Sequence, residues 1–126
     1  MIDSVGIDII EVHRIKGAIV RWGDSFTRRI FTPREINYCN GKQFPEQSYA
    51  ARFAVKEAVL KAIGTGFIKG LKWTSIEIVN DKMGQPTVRF GECIKNIIGS
   101  KKVVVSMSHT HEHAIASAIL YEDGKE

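Results

Sequence analysis

Residues 50–66 read AARFAVKEAVLKAIGTG, and within this largely apolar run stand Glu57 and Lys61. Glu57 falls beside Phe53 and Leu60 at helical spacing, with Lys61 one turn further on. A carboxylate among aromatic and aliphatic neighbours is costly unless something pairs with it. Two readings compete. The pair is an exposed i,i+4 contact worth only ~0.3–0.5 kcal/mol, or Glu57 holds a cation while Lys61 holds an anion. Asp8 raises the same question. It interrupts the β-branched run VGIDII at residues 5–10, in a setting where aspartate is depleted. Ile9 and Ile10 separate it from Glu11, which places it early for a helix cap, so a ligand role weighs slightly more. Glu35 has a full structural account of its own: Thr32-Pro33-Arg34-Glu35 is a capping box with proline at the first helical position.

The elements that must hold these residues follow from periodicity. Residues 50–66 form a helix, rich in Ala, Leu, Lys and Glu, with Gly64 placed for a left-handed terminus. Because it is apolar on both sides, it is a buried helix. Residues 5–10 are a strand. From Glu11 to Trp22, the apolar positions Val12, Ile15, Ile19 and Trp22 recur at helical spacing, opposite a basic face with His13, Arg14, Lys16 and Arg21. A short helical segment, SFTRRIF, carries Phe26 and Ile30 beside Arg28 and Arg29. The helix begun by Thr32 runs to about Asn40, and Gln43-Phe44-Pro45 is a linker. Trp73 to Val79 alternates as a strand. It returns through residues 85–90, with Pro86 at an edge or start. Residues 92–98 are a short helix. Residues 101–108 and 114–121 form a second hairpin, with Val103, Val105, Met107 and His109 on one face.

The chain has 126 residues, 44% hydrophobic and 25% charged, which suits one α+β domain spanning residues 1–126. No apolar run is long enough to cross a membrane, and the first residues lack the basic region and cleavage site of a signal peptide. Two distant cysteines, Cys39 and Cys93, favour free thiols in a reducing cytoplasm. A net charge of +4 favours an acidic partner without choosing between nucleic acid and protein.

Three segments taken together carry a resemblance: GIDIIEVHRI, then IFTPRE followed by ARFAVKEAVLKAIGTG, then VVVSMSHTHEHAIASAI. In content, order and spacing they resemble the bacterial holo-acyl-carrier-protein synthases, which are 4′-phosphopantetheinyl transferases, and the resemblance covers essentially the whole chain. It implies that family's fold, a largely antiparallel sheet packed with a long central helix and shorter helices. It also implies transfer of 4′-phosphopantetheine from coenzyme A to a serine of apo acyl carrier protein, giving the holo carrier and 3′,5′-ADP, for fatty acid biosynthesis. On this resemblance Asp8 and Glu57 bind Mg²⁺, Lys61 contacts the pyrophosphate, and His109 matches the S-x-S-H strand end. Arg14, Phe26 and Arg28 belong to the carrier-docking surface. Gly64, Gly66, Gly84 and Pro86 line the nucleotide pocket more loosely. A homotrimer with sites between subunits is implied, with no nucleic acid and no membrane as partners.

The chemistry is consistent with these residue types. Mg²⁺ takes one or two carboxylates, phosphate oxygens and waters, and Lys61 adds a point charge on the same side. The serine must lose a proton, to a water at the metal that His109 or Glu35 orients. Glu57, His109 and Glu35 are thus the catalytic candidates. Two other readings compete. His109, His111 and His113 alternate as a zinc or copper site would if the strand continued through them, but a hairpin turn falls there. The basic charge also suits a nucleic-acid binder, yet the basic residues are scattered and no recognition signature is present.

Overall fold

The structure is a computed structural model in which residues 1–64 and 71–124 are described. In chain order its elements are β1 (Ile2–Glu11), α1 (Val12–Trp22), α2 (Asp24–Ile30), α3 (Pro33–Asn40), α4 (Pro45–Ile63), a 3₁₀ turn (Trp73–Ser75), β2 (Ile76–Asn80), β3 (Pro86–Phe90), α5 (Glu92–Ile98), β4 (Lys102–His109) and β5 (His113–Tyr121). The α+β expectation is borne out. The strands divide into a three-stranded antiparallel sheet of order β1-β5-β4 and a separate β2-β3 hairpin.

Helix α4 is the axis of the molecule. It starts at Pro45 rather than Ala50, because the proline that reads as part of a linker supplies the first helical position. It ends where the sequence places a terminus: Gly64 adopts φ 80°, and its N–H donates to the Leu60 carbonyl at 2.9 Å. Small side chains let it lie close on the sheet. Ala54, Ala58 and Ala62 on α4 and Ala116 and Ala118 on β5 are all buried in one core cluster.

At β1 the approach is closer still. A Cβ added to Gly6 would stand 2.0 Å from the Ala58 carbonyl oxygen and 2.7 Å from the Ala62 nitrogen. No side chain fits there. The period-two alternation of the strand therefore presses Ser4, Gly6 and Asp8 toward α4. The Ser4 hydroxyl donates to the Ala62 carbonyl.

Two further expectations change. Trp22 follows the apolar period of α1 but is 59% exposed, with the Arg21 guanidinium 5.5 Å from its ring centroid. Of the α1 stripe, Val12 and Ile15 are buried and Ile19 packs partly buried against the same core cluster, which Trp22 does not join. Residues 73–75 form a 3₁₀ turn rather than a strand. The reason is a buried ammonium: Lys56 Nζ donates to the carbonyls of Trp73 and Ile76, at 3.2 and 2.6 Å, and so bends the chain around itself.

Candidate functional site

Strand β1 and helix α4 bring Asp8, Glu57 and Lys61 together. Asp8 faces α4 for the reason Gly6 does, two residues earlier in the same alternation. Its side chain is only 14% exposed, and its Oδ1 accepts from Lys61 Nζ at 3.1 Å. The same ammonium donates to the Ile7 carbonyl at 3.0 Å. Lys61 thus turns across to β1 instead of forming the i,i+4 contact with Glu57 that the helix spacing offered. Glu57 is half-buried beside them. Burial pushes its carboxyl above the usual carboxylate range, the charge on Asp8 adds to the rise, and Lys61 opposes it.

Two carboxylates on separate rigid elements suit a hard cation. Among the described residues no group of three or more His, Cys, Asp and Glu could hold a metal ion. An all-protein zinc site would need such a group. Mg²⁺ needs one or two carboxylates and takes its remaining ligands from phosphate and water, so Asp8 and Glu57 suffice for it.

The remaining expected residues fall into three places. Gly64 ends α4 on the Lys61 side, and Gly66 lies outside the described residues. Pro86 and His109 line a different cavity, of about 410 Å³, together with Lys42, Phe44, Arg52 and Gly84. The hairpin that delivers Pro86 is held by Asp81, whose Oδ1 accepts from the Met83 and Gln85 N–H groups, each at 2.9 Å. Gly84 at φ 83° completes that turn. Arg14, Phe26 and Arg28 sit on α1 and α2. Arg14 and Arg28 are exposed and loosely paired to Glu11 and Asp24, at 3.9 and 3.6 Å, while Phe26 is half-buried against Phe31.

The cavity and the acid cluster are not contiguous within one chain. Asp8 is opposite Ala116 on β5, and Ala116 is opposite Met107 on β4. His109 lies one further inward position along β4, so it is two strand spacings, about 10 Å, from the β1 line. Helix α4 lies over the sheet between them.

Glu35 requires a correction. Its side chain has no exposure. Its Oε1 accepts from the Thr32 N–H at 2.9 Å and from Lys56 Nζ at 2.8 Å, and its Oε2 accepts from the Ile78 N–H at 2.8 Å. A carboxylate so enclosed and so occupied has no path to a serine hydroxyl. It closes the capping box of α3 and pairs a buried lysine.

Three residues escaped the sequence reading. Arg52 is 2% exposed, its guanidinium lies 4.0 Å from the Tyr38 ring centroid, and it donates to Asn80 Oδ1. Its Nε is buried with no hydrogen-bond partner among the described residues. Lys42 packs over the same ring at 4.5 Å. Lys56 is fully buried. For Arg52 and Lys56 the signal was available, since both are cations inside the same apolar helix that made Glu57 conspicuous. The histidines of the β4-β5 turn diverge: His109 faces the cavity, His111 Nδ1 is 2.8 Å from Gln47 Nε2, and His113 is opposite Glu11 in the ladder.

Residues 4–118 match the family model described as the 4′-phosphopantetheinyl transferase superfamily. A holo-[acyl-carrier-protein] synthase of Chloroherpeton thalassium is 50% identical over 120 residues, covering 95% of this chain and 98% of the relative. Among solved structures, the holo-[acyl-carrier-protein] synthase of Neisseria meningitidis aligns with TM-score 0.88 at 31% identity, covering 97% of this chain and all of the other. That of Bacillus anthracis, solved in complex with CoA (3′,5′-ADP), aligns with TM-score 0.82 at 36% identity, covering 98% and 99% of the two chains.

Proposed function

The chain belongs to the 4′-phosphopantetheinyl transferase superfamily, and from this premise we propose how its residues carry out the reaction. It is a holo-[acyl-carrier-protein] synthase, which moves 4′-phosphopantetheine from coenzyme A to a serine of apo acyl carrier protein. The serine oxygen bonds to the phosphorus bearing the pantetheine arm. The bridging P–O bond on the adenosine side breaks, and 3′,5′-ADP leaves.

The observation that carries the site reading is the pairing of Asp8 with Lys61 across β1 and α4, beside a half-buried Glu57. Asp8 and Glu57 would hold Mg²⁺, which when bound would offset charge on the pyrophosphate. Lys61 supplies a second positive charge to that pyrophosphate. With Glu35 enclosed, Glu57 and His109 remain to receive or direct the serine proton.

The 410 Å³ cavity takes the nucleotide end. Arg52 there carries a buried Nε–H without an acceptor among the described residues, Lys42 adds a cation, and His109 and Pro86 complete the wall. A phosphate is the group such donors fit. Since cavity and acid cluster lie apart within one chain, the complete site forms between subunits of a homotrimer, the cavity of one protomer facing the cluster of the next. The exposed outer face of the three-stranded sheet supports this assembly, with Val5, Ile7, Ile9, Val104 and Ile115 all 41% exposed or more. Arg14 and Arg28, with Phe26, offer basic and apolar contacts to an acidic carrier protein. The reaction serves fatty acid biosynthesis, and the free thiols of Cys39 and Cys93 suit a cytoplasmic setting. Among the described residues no helix is long and apolar enough to cross a membrane.

The test is the intact mass of apo acyl carrier protein incubated with this protein, coenzyme A and Mg²⁺. The expected result is a gain of one phosphopantetheine, lost with chelator and lost with Asp8→Ala. Transfer that survives either treatment overturns the metal assignment.

A further inference from the structure

Lys61 has two claims on it. The proposed reaction needs it at a pyrophosphate, yet its ammonium is engaged by Asp8 Oδ1 at 3.1 Å and the Ile7 carbonyl at 3.0 Å. We infer that Lys61 is the resident counter-cation of Asp8, which a divalent metal must displace and which coenzyme A then holds in its displaced position. This rests on the reading of Asp8 and Glu57 as the metal ligands.

Three observations lead there. Asp8 is nearly enclosed, at 14% exposure, with Lys61 Nζ 3.1 Å from its Oδ1. A carboxylate held at such low exposure needs a cation, and among the described residues Asp8 Oδ1 accepts from Lys61 Nζ. Second, the two partners differ in freedom. Asp8 is fixed by the strand, and Gly6 leaves that strand no slack against α4. The Lys61 side chain is 56% exposed and reaches Asp8 on a flexible four-carbon stem. When a competing charge arrives, the lysine is the part that moves. Third, Ile7 offers its carbonyl to the ammonium at the same point, so the contact is a two-acceptor seat rather than a chance approach of two surface charges.

The consequence is a coupling. In the free protein, Lys61 and the metal compete for one carboxylate and repel each other, so Lys61 weakens metal binding. The pyrophosphate gives the displaced ammonium a new anionic partner, so coenzyme A strengthens metal binding by more than its own phosphate ligands account for. The same residue therefore opposes the metal before substrate arrives and favours it afterwards, which is a linkage between two ligands through one side chain.

Mn²⁺ alone is the probe, with free Mn²⁺ read by electron paramagnetic resonance. Without coenzyme A, Lys61→Met should bind Mn²⁺ about fivefold or more tightly than the unsubstituted protein. Addition of coenzyme A should tighten Mn²⁺ binding by a larger factor in the unsubstituted protein than in Lys61→Met. In chelator, Lys61→Met should melt at a lower temperature, and Mn²⁺ should raise its midpoint by more. Equal or weaker Mn²⁺ binding by Lys61→Met overturns the inference while leaving the metal site standing. Mn²⁺ binding that Asp8→Asn does not weaken overturns the metal site itself, and the inference with it.

Discussion

Glu57 shows how burial and charge act together at a single residue. Its carboxyl is raised, first by burial and then by Asp8, so folding without metal favours its protonated form more than the unfolded chain does. For a group raised in the folded state, the stability it contributes is complete below the ordinary carboxylate range and is lost as pH rises through the raised value. Glu57→Gln removes that loss. In chelator, the variant should gain stability over the unsubstituted protein between pH 4 and pH 7, and urea denaturation at the two pH values checks the sign. At Lys56 the physics is harsher. Its ammonium has no exposure and donates to Glu35, Ile30, Trp73 and Ile76. Burial pulls it below the ordinary lysine range, while Glu35 opposes that fall. Lys56→Met leaves a buried carboxylate unpaired, and removing one partner of such a pair costs about 3–5 kcal/mol. The double variant Lys56→Met/Glu35→Gln should recover part of that loss in chemical denaturation.

Among the elements, the contact of β1 with α4 determines the geometry of the site. Gly6 permits the approach, and Asp8, on the same face of the strand, is carried by it to Lys61. Gly6→Ala would force a Cβ to within 2.0 Å of the Ala58 carbonyl oxygen, where backbone on both sides cannot yield. The cost should reach or exceed the ~1–3 kcal/mol of ordinary overpacking. It should also move Asp8 off Lys61. Calorimetric melting measures the first effect, and weakened Mn²⁺ binding by the folded variant measures the second. The other clamp on α4 is Lys56, which ties the end of α2, the cap of α3 and the start of β2 to the residue immediately before Glu57. These elements are fixed by one buried cation, and their relative placement would loosen together if it were lost.

At the scale of the whole molecule, the outer face of the three-stranded sheet is the feature one chain leaves unresolved. Val5, Ile119 and Val104 form one row across it, and Ile9 and Ile115 begin another. Ile7, at 60% exposure, stands in the edge strand between those rows. On the proposed trimer this face meets its copies, and the Arg52 cavity of one protomer meets the acids of another. Ile7→Glu should then yield a monomer that keeps its fold but binds coenzyme A at least tenfold more weakly. Light scattering and calorimetric titration check the two parts. A monomeric variant with unchanged coenzyme A affinity would mean that one chain carries the whole site.

Much of this was legible in the residues alone. Asp8 and Glu57 declared themselves as charges in apolar runs, because that placement is costly whatever the fold. The capping box at Thr32 and Glu35 and the left-handed Gly64 followed from local backbone chemistry, which depends on neighbours a few positions away. What sequence could not decide was which distant groups meet. Helical spacing offered Lys61 to Glu57, and the tertiary structure gave it to Asp8, 53 residues away in the chain. Glu35 kept a catalytic claim beside its full account as a cap until Lys56 and the Ile78 N–H enclosed it. Trp73 read as strand until a buried ammonium drew its carbonyl into a turn. Arg52 and Lys56 sat in the same helix as Glu57, but a long cation on a helix has many exposed destinations. Local terms fix where an element begins and which charges are out of place. Only the packing of β1, β2 and β5 around α4 determines which opposite charge lies within reach, because that distance depends on every contact between them.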